Sequence, residues 1–176
     1  MVSLEDLARI AEIEFSDIVD STEMMETKLR IMLTEGGFVE EGGEISSEYL
    51  LEASSVLSTL RTELRWKPGK DIQHLEKRKA MGHLPKHSSL EDYNALINEL
   101  IEDNSNVVYL YEFRTKRYYA VRGSIQGVDW VVIFGKDGII ETTFPPKEID
   151  GYIQRRGFRL LGKIEEVLRW KKGEDC

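Results

Sequence analysis

Between Val107 and Phe144 the chain carries four short runs rich in β-branched and aromatic residues: Val107 to Phe113, Arg117 to Arg122, Val128 to Phe134 and Ile139 to Phe144. The links between them are Arg114-Thr115-Lys116, the stretch from Gly123 to Gly127, and Gly135-Lys136-Asp137-Gly138. Parallel neighbours need a crossover of roughly a dozen residues or more, so links this short demand a four-stranded antiparallel meander. Pro145-Pro146 cannot donate ladder hydrogen bonds and ends the last strand.

Helices are expected on either side of this sheet. Ser88-Ser89-Leu90-Glu91 has the Ser-x-x-Glu spacing of a capping box and opens a helix whose buried stripe is Leu90, Leu96, Ile97, Leu100 and Ile101. A polar, basic helix from Asp71 to about Met81 precedes it, closed by Gly82 and by Pro85 in the following turn, GHLPKH. After the double proline come a helix from Lys147 to Arg156, a short run from Phe158 to Leu161 and a final helix from Lys163 to Trp170. Trp130, Phe134 and Trp170 read as packing residues with no part in chemistry.

Upstream, Leu4, Leu7, Ile10 and Ala11 share one face of a helix capped by Ser3. Strand-like runs around Ile18-Val19 and from Lys28 to Leu33, broken by Gly36-Gly37 before Phe38-Val39, suggest a hairpin. Past Gly42-Gly43, Ser46 or Ser47 caps a helix with Leu50, Ala53, Val56, Leu57, Leu60 and Leu64 on its buried face. Trp66-Lys67-Pro68-Gly69-Lys70 breaks that helix and marks a boundary. The expected organisation is therefore an acidic helix-hairpin-helix unit over residues 1–66 and an α+β domain over 67–176, the meander packed against helices.

Charge is distributed unevenly. Residues 1–60 hold 14 acids and 3 bases, residues 61–87 hold 3 acids and 8 bases, and residues 88–176 hold 15 acids and 13 bases, so the total of −8 conceals a basic segment. Charged residues make up 32% of the chain while Asn and Gln are few, a balance met more often in proteins from hot environments. No run approaches the roughly 18 apolar residues of a membrane span, and the acidic N-terminus lacks the regions of a signal peptide; a cytoplasmic protein is expected, with no membrane contact. The single cysteine, Cys176, can form no intramolecular disulfide.

All three histidines, His74, His83 and His87, fall in the basic segment, beside Lys77, Arg78, Lys79 and Lys86. Imidazole exchanges a proton near neutral pH, so this group supplies a general base, a general acid and an electrostatic clamp. The alternative is a solvated basic helix and loop. His83-x-x-x-His87 also matches the spacing of two zinc ligands on a helix, but Pro85 interrupts it and the sequence offers no nearby third ligand other than His74 or an acid brought in by folding, so no metal is assigned. In the second β-run Arg117 and Tyr119 share one face while Tyr118 and Arg122 share the other. An Arg can neutralise a pentavalent phosphate and a Tyr can stack on a base; buried aromatics with solvated arginines are the plainer reading. Thr142 and Thr143, at the end of the last run, can donate to a phosphate oxygen or simply favour a strand.

In this order, a His/Lys turn, a helix, a four-stranded meander and a terminal run Ile140-Glu141-Thr142-Thr143-Phe144, residues 71–165 resemble the superfamily that groups barnase, EndoU, colicin-type tRNA nucleases and RelE toxins, in its phage- or colicin-like branch. The matching positions are Lys86-His87 with His83, the run Arg117 to Arg122, and Thr142-Thr143. The resemblance implies a metal-independent, cofactor-free endoribonuclease of toxin type, a nuclease-like domain over 67–176. In it His87 or His83 takes the 2′-hydroxyl proton, Lys86 with Arg117 or Arg122 stabilises the phosphorane alongside Tyr119, and Thr142 or Thr143 positions the phosphate. His74, Lys77, Arg78, Lys79, Arg114 and Lys116 would contact RNA, tRNA being one candidate, and a protein inhibitor would be a second partner to a monomer or homodimer. Two departures are visible: the net charge is negative where such an enzyme is usually basic, and Glu141 adjoins the candidate threonines. A non-enzymatic protein-interaction module, and a toxin-like protein that binds RNA without cutting it, remain the alternatives.

Overall fold

A computed structural model describes residues 45–171; the helix expected at Ser3 to Ile13 and the hairpin expected between Phe15 and Val39 lie outside the described residues. The fold is α+β. Helix α1 (Ser47–Thr62) starts at Ser46, whose hydroxyl accepts from the Glu48 amide, and buries Ala53, Val56, Leu57 and Leu60 at the three- and four-residue spacing of one face. The chain then becomes extended as β1 (Arg65–Trp66), and Gly69, at φ +80°, opens α2 (Lys70–Ala80). Helix α3 (Leu90–Glu102) follows the GHLPKH turn.

The sheet continues with β2 (Val107–Phe113), β3 (Lys116–Ile125), β4 (Val128–Gly135) and β5 (Ile139–Phe144), before α4 (Ile149–Arg156), β6 (Arg159–Lys163) and the one-turn α5 (Ile164–Val167). Its order is β1-β5-β4-β3-β2-β6, all neighbours antiparallel except β1 with β5. The expected four-stranded antiparallel sheet is thus corrected to a six-stranded mixed one. Two residues of β1 are too few to show alternation, and Arg159 to Lys163 was divided between a short run and a helix. Lys163 is extended as β6 pairs with β2, which shortens the expected final helix to Ile164–Val167.

Local chemistry accounts for the turns. Gln126 and Gly127 both have positive φ, +51° and +79°, the two-residue hairpin turn that matches strand twist, so β3 runs through Gly123 to Ile125. Gly123 itself lies mid-strand because a Cβ there would collide with the Asn106 side chain, which donates to the carbonyl of Leu100 and ties α3 to β2. The capping box is one residue later than its sequence signature. The Ser89 hydroxyl accepts from the Asp92 amide at 3.1 Å and the Asp92 carboxylate accepts from the Ser89 amide at 2.9 Å, while Ser88 is buried.

The Ser89 backbone amide, and then its hydroxyl, hold the Asp92 carboxyl below the usual carboxylate range. Because the fold favours the charged form, this contribution is present at neutral pH and fades as pH falls through the acid range. Ser89→Ala should lower stability by about 1 kcal/mol at neutral pH, read as a reduced thermal midpoint.

Each sheet face has its own core. One joins Leu57 and Leu60 of α1, Leu75 of α2 and Ile97 and Leu100 of α3 to Val108, Leu110, Tyr119, Val132 and Phe134. The other joins Tyr109, Tyr111, Tyr118, Val131, Ile133 and Phe144 to Ile149, Tyr152 and Ile153 of α4 and to Phe158.

Candidate functional site

The end of α2 decides where the GHLPKH turn goes. Gly82, at φ +78°, reverses the chain so that the amides of His83 and Leu84 both donate to the Arg78 carbonyl, at 2.8 and 3.3 Å. This hook sets the His83 ring beside the Arg78 side chain, with Nη1 3.0 Å from Nδ1. Arg78 is 2% exposed, and its guanidinium carbon lies 5.6 Å from the Phe144 ring centre, at the end of β5. Beyond Phe144, Pro145 and Pro146 carry the chain into α4. Between this segment and the α2 end lies a cleft of about 430 Å³. Its walls combine an apolar side, from Met81, Phe144, Pro145 and Pro146, with Arg78, His83, Lys147 and Arg155; Glu148 and Tyr152 complete it.

An arginine only donates, so His83 Nδ1 accepts and the ring's proton rests on Nε2. His83 Nε2–H is thereby presented as a hydrogen-bond donor. Lys147 and Arg155 are exposed where Arg78 is buried, giving the cleft cations at its mouth as well as its floor. Glu148, also exposed, is the carboxylate among them. Volume, apolar wall and convergent cations suit a ligand that joins a flat ring to an anion.

Of the residues expected to form a site, His83 and Arg78 enter this cleft and the others are dispersed. Lys86 and His87 are exposed farther along the same loop. Arg117 and Tyr119 face α1 on the opposite side of the sheet. Glu52 accepts from the Tyr119 hydroxyl at 2.6 Å and from Arg117 Nη1 at 3.0 Å, and the Arg117 guanidinium stacks 4.5 Å over Tyr49. Burial, then the neighbouring Glu52 carboxylate, pushes the Tyr119 phenol far above its usual range, so it stays protonated and acts as a dock for α1. Arg122 lies on the α4 side and pairs with Asp150 at 2.7 Å. In the register it stands level with Val131 and Phe144, two strands from the cleft wall, roughly 10 Å away at the usual strand spacing.

Thr142 and Thr143 are fully buried opposite Ile133 and Val132, and the Tyr93 hydroxyl donates to the Thr143 carbonyl. They are interior strand residues. His74 is also fully buried on the inner face of α2, stacked on Trp66 at 5.7 Å between ring centres, which removes it from the surface set. Lys77 and Lys79 are half-buried on α2, Lys79 reaching Glu76 at 3.3 Å. Arg114, at φ +58°, and Lys116 rim a second hollow at the hairpin end. There Arg117 and Lys136 meet Glu112, Asp137 and Glu141, so its charges offset one another.

Phe144, Lys147, Glu148, Tyr152 and Arg155 were not foreseen as site residues. Their signal was the Phe-Pro-Pro-Lys-Glu run, read as a strand stop alone. Among the described residues no group of three histidines, cysteines or acids is arranged to hold a metal, and no helix is long and apolar enough to cross a membrane. Compared with models of protein families, with curated proteins and with solved structures, the chain matches none.

Proposed function

We propose that the cleft between the end of α2 and the start of α4 binds a phosphodiester of single-stranded RNA and cleaves it without a metal ion. The observation that carries this reading is the Arg78–His83 pair at 3.0 Å, a buried guanidinium fixing an imidazole as hydrogen-bond donor at the edge of a cationic cleft. In this mechanism the Glu148 carboxylate takes the 2′-hydroxyl proton as that oxygen forms its bond to phosphorus. The departing 5′-oxygen takes a proton from water as its bond to phosphorus breaks, the protonated Glu148 replacing that proton, while His83 Nε2–H donates a hydrogen bond to a non-bridging phosphate oxygen. Arg78, Lys147 and Arg155 offset the charge of the phosphorane, and the Phe144 wall receives a base. The products are a 2′,3′-cyclic phosphate and a 5′-hydroxyl. In this reading the 2′-hydroxyl proton goes to Glu148 where His87 or His83 was expected to take it, and Arg78 moves from an RNA contact to the reacting phosphate.

Binding without cleavage is the second reading, favoured by the burial of Thr142 and Thr143 inside the sheet and by the pairing of Arg117 with Glu52. Incubation of the chain with total RNA, and separately with tRNA, in EDTA separates the two. Discrete fragments ending in cyclic phosphate are the expected result. Intact RNA from pH 5 to 9, with binding retained, would leave the second reading in place; intact RNA without binding would leave the protein-interaction module.

A further inference from the structure

Gly151 lies in the first turn of α4, where alanine would form helix more readily. Its φ is outside the left-handed region, so the backbone does not require a glycine there. Neither does the core. The nearest atoms to the position of an added Cβ are Arg155 Nη1 at 3.1 Å, Glu148 Oε2 at 3.7 Å and Glu148 Cβ at 3.9 Å. Both residues line the cleft, and at spacings of three and four from Gly151 they share its side of the helix. The bare surface thus holds a cation and a carboxylate side by side. We propose that Gly151 is a positioning residue for the cleft: without a side chain there, the Arg155 guanidinium lies back across α4 next to the Glu148 carboxylate.

This role deepens the RNA reading of the cleft and rests on it. With the two heads adjacent, a phosphate oxygen held by Arg155 sets the neighbouring 2′-hydroxyl against Glu148, the group that takes its proton. Asp150, the other carboxylate of this turn, is engaged by Arg122 at 2.7 Å. An alanine methyl at 151 would stand 3.1 Å from Arg155 Nη1, a contact that a long exposed side chain relieves by a small shift. A leucine would fill the surface itself and turn the guanidinium out of it. Moving a substrate clamp by about 1 Å from the group it serves can cost roughly 10²-fold in rate.

Stability and cleavage should therefore move in opposite directions, which a glycine needed only for packing would not produce. In the full chain Gly151→Ala should raise the thermal midpoint by about 1–4 °C and slow single-turnover cleavage of a short single-stranded RNA in EDTA several-fold. Gly151→Leu should slow it about 10²-fold. Binding of the uncleavable 2′-O-methyl form, read by fluorescence anisotropy, should weaken only a few-fold, because Arg78 and Lys147 remain. In an Arg155→Ala background the leucine should add little further loss. A lower midpoint for Gly151→Ala would make the glycine a packing requirement. Unchanged cleavage by Gly151→Leu, or its full loss repeated without Arg155, would overturn the positioning role and leave the RNA reading standing. RNA left intact by the unmodified chain would overturn the RNA reading, and this role with it.

Discussion

His83→Ala should reduce RNA cleavage by a factor on the order of 10² to 10³, the usual worth of a positioned hydrogen-bond donor to developing charge, while leaving the fold in place. The side chain is half-buried at a loop, and the hook that shapes this loop uses backbone amides of residues 83 and 84, which alanine preserves. RNA affinity should fall only a few-fold, because Lys147 and Arg155 at the cleft mouth supply most of the attraction for phosphate. His87→Ala should change cleavage little, since His87 is exposed and lies beside the Asp92 carboxylate, whose charge it helps to favour. Single-turnover cleavage with circular dichroism melts on the same samples provides the check. Equal losses for both substitutions, or a larger one for His87, would remove His83 from the reacting position.

Arg78→Leu should be the most damaging change at the cleft, lowering stability by roughly 2–3 kcal/mol and abolishing cleavage together. Leucine fills part of the volume and relieves the desolvation of a buried charge, which limits the loss. It also leaves His83 Nδ1 without its donor and removes the guanidinium from the Phe144 face, which sets the sign. Arg78→Lys is the informative companion. An ammonium restores the charge, but its point geometry cannot both stack on Phe144 and reach the imidazole. Stability should therefore recover in large part while cleavage does not. Urea unfolding reads the first effect and RNA cleavage the second; an unchanged unfolding midpoint for Arg78→Leu would mean that the side chain does not tie the loop to the sheet.

The central strands were legible in the sequence because their periodicity and turn residues agree. Val108 and Leu110 go to one core, Tyr109 and Tyr111 to the other, and the positive φ values at Gln126 and Gly127 fix the hairpin between β3 and β4. β1 was not legible, since its pairing is set by a strand that follows some seventy residues later. The site was only half legible for a related reason. Histidine and arginine were sought around the GHLPKH turn, and residue type cannot tell His83, brought into a cleft by Gly82, from His74, turned inward by helix phase. Arg117 and Tyr119 have the chemistry of a phosphate site and are occupied with Glu52; only the packing of α1 across the sheet decides that.

The parallel pairing of β1 with β5 has a consequence for the order in which the molecule assembles. Neighbouring strands from β2 to β5 meet across short hairpins, whereas Arg65 must find Ile139 and Trp66 must find Ile140. Loop-closure entropy makes the local pairings early and the distant one late in folding. Since β1 leads directly into α2, the cleft walls come together only at that last step. A chain emerging from the ribosome would thus hold a folded hairpin array but no assembled cleft, and native-state hydrogen exchange should find the Lys67 amide, bonded to the Ile140 carbonyl, opening at lower free energy than the amides of β3 and β4.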